Sequence, residues 1–143
     1  MNADPYELSR FVRAQSRVYE TVVAELTAGE KRTHWMWFMF PQLAGLGFSD
    51  MARRYSLGDV AEANAYLHHP LLGSRLIECT RLVVAVEGAP LAEILGPPDD
   101  LKFHSSMTLF AQVDGHAPVI DRALERYFGG ELDERTLSLL RAR

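Results

Sequence analysis

Lys31-Arg32-Thr33-His34-Trp35-Met36-Trp37-Phe38-Met39-Phe40-Pro41-Gln42 is the stretch on which the reading of the whole chain turns. Trp35 to Phe40 are four aromatics and two methionines in six consecutive places, and they include both tryptophans of the protein. Burying one such side chain is worth about 1.5–3 kcal/mol, so the rest of the chain must fold over this segment. Because it is apolar at every position, neither a two-residue nor a 3.6-residue period shows. A buried strand and a fully buried short helix both fit. The helical patterns on either side favour a helix ended by Pro41, whose ring and missing N–H break one.

Upstream, Asp4-Pro5-Tyr6-Glu7 has the form of a helix start. Asp4 can cap it, Pro5 suits the first turn, and Glu7 sits at the reciprocal capping position. Leu8, Phe11, Val12, Val18, Val22, Val23 and Leu26 then recur at steps of three and four, with Gln15 and Tyr19 on the same stripe. That spacing predicts one helix face, closed by Gly29 in a left-handed stop. Downstream, Leu43 to Gly47 is a glycine-rich loop. Ser49, Asp59 and Asp133 each stand where a helix cap belongs. Pro70 opens a long helix whose Leu71, Leu72, Leu76, Cys79, Leu82, Val83 and Val86 are expected to face inward. Further helices are predicted over Pro90–Leu95, from Asp99-Asp100 through Ala111, and from Pro118 to Phe128. No alternating strand emerges. The expectation is an all-α fold of about seven to nine helices in a single compact domain over residues 1–143.

Composition narrows the classes. With 48% hydrophobic and 24% charged residues, the chain can bury a core and is unlike a disordered one. A formal charge of −4 argues against nucleic-acid binding, here through Lys31, Arg32, Arg53 and Arg54. Cys79 is alone, which excludes an internal disulfide and a thiolate metal cluster. The polar, acidic start Met1-Asn2-Ala3-Asp4-Pro5 is unlike a secretory signal. The apolar run from Trp35 to Pro41 is far short of the ~20 residues that span a bilayer. These features predict a soluble protein of a reducing cytoplasm, with no membrane partner.

A family resemblance rests on residues spread along nearly the whole chain, in order. They are Asp4-Pro5-Tyr6, Arg10-Phe11-Val12, Ala14-Gln15, the Lys31–Gln42 stretch, Leu46-Gly47, Arg54-Tyr55, His69-Pro70-Leu71-Leu72-Gly73, Arg75-Leu76, Glu78-Cys79 and Asp99 to Phe110. Together they resemble the bacterial domain of unknown function numbered 1810, a family often labelled "calpastatin". The resemblance implies the all-helical fold of a mycobacterial member, and with it a helix for the aromatic stretch. It implies no activity, so no catalytic residue is carried over. The label fits poorly, since calpastatin is a disordered inhibitor and this composition is compact and aromatic-rich.

Two segments carry candidate chemistry. Lys31, Arg32 and His34 precede the aromatic helix, where cations and unpaired N–H groups attract an anion, and Trp35 or Trp37 offers a ring to stack on. In Asp99 to Thr108, Lys102 lies one helical turn from Ser105 and Ser106. A buried, neutral lysine would activate a serine, but the order is opposite to that of the serine-x-x-lysine motif. A charged Lys102 with the hydroxyls of Ser105, Ser106 and Thr108 would instead bind an anion. Each feature also has a structural reading: solvated cations, hydroxyls bonded to their own helix, Lys102 paired with Asp99 or Asp100, and those aspartates as caps. Gln42 and Arg75 are secondary candidates. His68, His69, His104 and His116 lack ligand spacing, so no metal and no cofactor is expected. Cys79 reads as a small buried hydrophobe.

These residues converge on one expectation. A polar pocket bounded by the aromatic helix and the Lys102–Thr108 segment would bind, and could also act on, a small anionic molecule of phosphate or nucleotide type. Its ligands would come from Lys31, His34, Trp35, Trp37, Gln42, Lys102, Ser105, Ser106 and Thr108. The alternative is a non-catalytic protein–protein interaction module, whose mark would be an exposed apolar patch.

Overall fold

A computed structural model describes residues 3–143; Met1 and Asn2, part of the polar start, lie outside the described residues. Among the described residues ten helices follow in order: α1 (Ser9–Ser16), α2 (Tyr19–Ala28), α3 (Met36–Met39), α4 (Asp50–Arg54), α5 (Val60–His68), α6 (Pro70–Ala85), α7 (Leu91–Ile94), α8 (Asp99–Ala111), α9 (Pro118–Phe128) and α10 (Glu134–Arg141). Among the described residues there is no strand, only one isolated parallel bridge between Leu43 and Leu57. The fold is all-α. None of the helices is long and apolar enough to cross a membrane.

The caps explain the boundaries. Ser49, Asp59 and Asp133 accept the backbone N–H of Ala52, Glu62 and Thr136, each three residues on, satisfying donors that a helix start leaves unpaired. His69 does the same for α6 through Nδ1, which accepts from Leu71 and Leu72. The N-terminal helix differs from expectation. It is two helices, broken at Val18, whose φ of −128° is not helical. This break brings the total to ten. The periodicity runs across it because Phe11 and Gln15 of α1 and Val22 and Leu26 of α2 are all buried. Asp4 still caps α1, but from further back, accepting from Leu8 and Ser9.

The aromatic stretch is core, and its helix is a single turn. Trp35, Met36, Phe38, Met39 and Phe40 are buried, and Trp37 is half-buried. Phe40 leaves the helical region at φ −130°, ψ 72°, as a residue before proline must. One turn of helix leaves nearly all its carbonyls without a helical partner. Gln15, buried on the apolar stripe of α1, answers one of these: its Nε2 donates to the Phe38 carbonyl at 2.7 Å and to the Tyr66 hydroxyl at 2.8 Å. Ring contacts then spread outward from the stretch. Phe38 meets Tyr55, Tyr55 meets Phe11, Phe11 meets Tyr66 and Tyr66 meets Phe110, all with centroids 5.1–5.6 Å apart. Phe40 packs edge-on against Phe103 of α8. Around this centre α6 packs on α2, α5 and α9, and α8 packs on α5, α9 and α10.

Candidate functional site

The mouth of the aromatic helix already holds an anion, supplied by the chain itself. Glu25, buried near the end of α2, points its carboxylate at residues 32–35. Its Oε1 accepts from Arg32 N (2.9 Å), Thr33 N (3.1 Å) and Trp35 Nε1 (2.9 Å), and its Oε2 accepts from the Thr33 hydroxyl (2.8 Å). Burial alone would push this carboxyl up. The hydrogen bonds outweigh it and hold the group down at about 2.

Lys31 is equally committed. Its Nζ donates to the Thr33 carbonyl at 2.6 Å, pairs with Asp99 Oδ2 at 3.0 Å and lies over the Trp35 ring; only 8% of its side chain is exposed. Trp35 is buried with its N–H spent on Glu25. His34 is exposed on the same loop and lines none of the clefts described here. The two candidate segments do meet, through Asp99. Its Oδ2 takes Lys31 and its Oδ1 takes Lys102 at 3.7 Å.

Beyond that contact opens a cleft of about 200 Å³, lined by Gln42, Leu46, Gly47, Leu101, Lys102, Ser105 and Arg135 among others. Helix α8 supplies Leu101, Lys102 and Ser105, which its turn places along one edge. The loop after Pro41 supplies Gln42 to Gly47, and Asp133-capped α10 supplies Arg135. Lys102 Nζ lies 5.5 Å from the centroid of the Trp37 ring, so Trp37 flanks the cleft without lining it. The Ser105 Oγ donates to the Leu101 carbonyl or to Asp133 Oδ2. Its proton is directed away from Lys102, and the Asp133 carboxylate that it reaches is committed to capping α10, accepting from the backbone N–H and the hydroxyl of Thr136. Among the described residues the side-chain amide of Gln42 and the guanidinium of Arg135 have no partner.

The other candidates fall inside the fold. Thr108 is fully buried and its Oγ1 accepts from Asp133 N, which anchors α10 to α8. Ser106, one turn after Lys102, is fully buried and its hydroxyl has no hydrogen-bond partner among the described residues. Arg75 reaches Gln15 and Ser16 and lies over the Tyr19 ring, tying α6 to the first two helices. Burial pushes the Cys79 thiol up to about 12, the opposite of a reactive thiolate.

The family model described as "Protein of unknown function (DUF1810)" matches residues 5–140. The chain belongs to the DUF1810 family. A crystal structure of the conserved hypothetical protein Rv1873 from Mycobacterium tuberculosis is similar to this DUF1810 chain at 56% identity. The match covers 96% of this chain and 99% of that one, with a TM-score of 0.94. Among curated proteins no relative matches.

Within this DUF1810 chain, the cleft therefore assembles three of the nine candidate residues, Gln42, Lys102 and Ser105, with Trp37 at its edge. It adds Arg135, Leu101 and the Leu46-Gly47 turn, which were not read as site residues. Nothing local marks Arg135. It is an ordinary exposed arginine in the first turn of α10, and it reaches the cleft only because Asp133 is held by Thr108 and Ser105.

Proposed function

We propose that this protein binds a small anion in the cleft between α8, the Gln42–Gly47 loop and the start of α10. The observation that carries the reading is the pairing of two cations, Lys102 and Arg135, with the side-chain amide of Gln42 around one hollow that Ser105 also lines. Lys102 has only a distant carboxylate partner and 27% of its side chain is exposed, so its ammonium faces the opening. At about 200 Å³ the cleft lies below the ~300 Å³ floor of typical ligand pockets. A carboxylate or a single phosphate group fits that size; an enclosed nucleotide does not. Binding is the whole of the proposal, because Ser105 is not directed at Lys102 and the Asp133 carboxylate that it reaches is committed to capping α10.

A thermal-shift panel of small carboxylates, which do not match the phosphate chemistry of other surface cations, tests it. A ligand present at about 100 times its dissociation constant adds about 2.7 kcal/mol to stability. Lys102→Gln should remove the shift while the unliganded variant melts within a few degrees of the native protein. A shift that survives Lys102→Gln would refute the assignment.

A second reading, a protein-interaction surface, has one observation in its favour. Leu101 on the cleft wall is 66% exposed, and Phe48, next to Gly47, is 71% exposed. Large apolar side chains left in water beside a polar cleft suit a partner chain. In that case Phe48→Ser and Leu101→Ser would abolish the partner's binding, whereas Lys102→Gln would not.

A further inference from the structure

A second concentration of positive charge lies away from this cleft, on the outer face of α1. Arg10, Arg13 and Arg17 follow one another at three- and four-residue steps, so they share one face of the helix. Arg54, at the end of α4, stands opposite, held there because Arg10 Nε donates to the Arg54 carbonyl at 2.8 Å. The four guanidinium side chains border a crevice of about 90 Å³, together with Ala14 and Tyr55, and among the described residues no carboxylate lines it.

The four cations are not equivalent. Arg10 is spent on the fold. It donates to the carbonyls of Tyr6, Glu7, Arg54 and Ser56 and pairs with Glu62 at 3.3 Å. Arg13, Arg17 and Arg54 have no carboxylate partner among the described residues, and their guanidinium groups make no hydrogen bond. Like charges one helical turn apart destabilise a helix; Arg13, in the last turn of α1, and Arg17, at its C-cap, offset part of that by facing the negative end of the helix, but neither position requires the two to converge on Arg54. The chain as a whole is acidic, at −4, which makes a carboxylate-free arginine crevice harder to ascribe to general composition.

We propose that this crevice binds the phosphoryl group of a phosphate monoester. Three unpaired guanidiniums offer more forked donors than one planar carboxylate can accept, and they match the several oxygens and double charge of a phosphate. The crevice adjoins a larger hollow of about 600 Å³ that shares Arg10, Arg13 and Arg54 and adds Tyr6, Glu7 and Glu62. The organic part of the ligand lies there, with the exposed Tyr6 ring beside it and the Glu7 carboxylate able to accept a hydroxyl or amine proton. The same two glutamates border the positive patch, which favours a compact phosphate over a long polyanion that would have to cross them.

The test is titration calorimetry of the full chain with phenyl phosphate, inorganic phosphate, phenol and a short single-stranded oligonucleotide. Phenyl phosphate is expected to bind more tightly than inorganic phosphate, and phenol not at all. The exposed double variant Arg13→Gln/Arg17→Gln should weaken phenyl phosphate about tenfold or more and should melt no lower than the native protein. Repeated in the Lys102→Gln background, which removes the other cleft's principal cation, the titration should still show phenyl phosphate binding and its loss in Arg13→Gln/Arg17→Gln, which separates the two sites. The proposal is overturned by no phosphate binding at millimolar concentration, by unchanged affinity in the double variant, or by an oligonucleotide that binds more tightly than phenyl phosphate.

Discussion

At the scale of single residues, Glu25 shows how a site-like pattern is consumed by the fold. Cations and free N–H groups at a helix start do attract an anion, and here the anion is a side chain seven to ten residues earlier. Sequence gives no warning of this, because Glu25 occupies an ordinary place in an amphipathic helix. Its effect on stability is measurable. With its carboxyl lowered from 4.5 to about 2 in the folded state, Glu25 contributes about 3 kcal/mol at neutral pH. The sign follows from the lowered value: the contribution is full above about 4.5 and drains away as pH falls towards 2. In Glu25→Gln it should be absent throughout. Melting curves of both proteins should therefore lie well apart at pH 7 and converge below pH 4, and a gap that stays constant with pH would refute the account.

At the scale of elements, the α5–α6 corner rests on one glycine. A Cβ built on Gly73 would stand 2.0 Å from the Leu67 carbonyl oxygen and 2.9 Å from its carbon. Those atoms are backbone in the last turns of α5, and they cannot rotate away as a side chain would. Gly73→Ala should cost at least about 3 kcal/mol in urea unfolding, despite alanine's better helix propensity; a neutral result would mean that the corner opens freely. Where a boundary depends on neighbours in sequence, as with Ser49, Asp59, His69 and Asp133, the chain declares it, because a cap and the N–H it accepts lie within three residues. The break at Val18 was hidden because both halves face the same core, so the stripe continues through it. The strand-or-helix ambiguity of Trp35–Phe40 has a similar origin: a segment buried on all sides has no periodicity to read, and the family resemblance supplied what the pattern lacked.

At the scale of the whole molecule, Asp99 couples the fold to the cleft. One oxygen clamps the nearly buried Lys31, which joins the loop before α3 to the start of α8, and the other lies 3.7 Å from the cleft's Lys102. The carboxylate therefore holds the two segments together and also competes with any anion for Lys102. Asp99→Asn separates these effects. Leaving Lys31 with a neutral partner should lower stability by about 1–3 kcal/mol. Removing the negative charge beside Lys102 should tighten anion binding at the cleft several-fold. The two readouts, a lower melting temperature without ligand and a larger ligand-induced shift, are expected to move in opposite directions. Lys102→Gln in the Asp99→Asn background should erase the gain in affinity and leave the loss of stability. If anion affinity in Asp99→Asn falls in parallel with stability, Lys102 is held by the fold rather than presented to a ligand, and the cleft loses its principal cation.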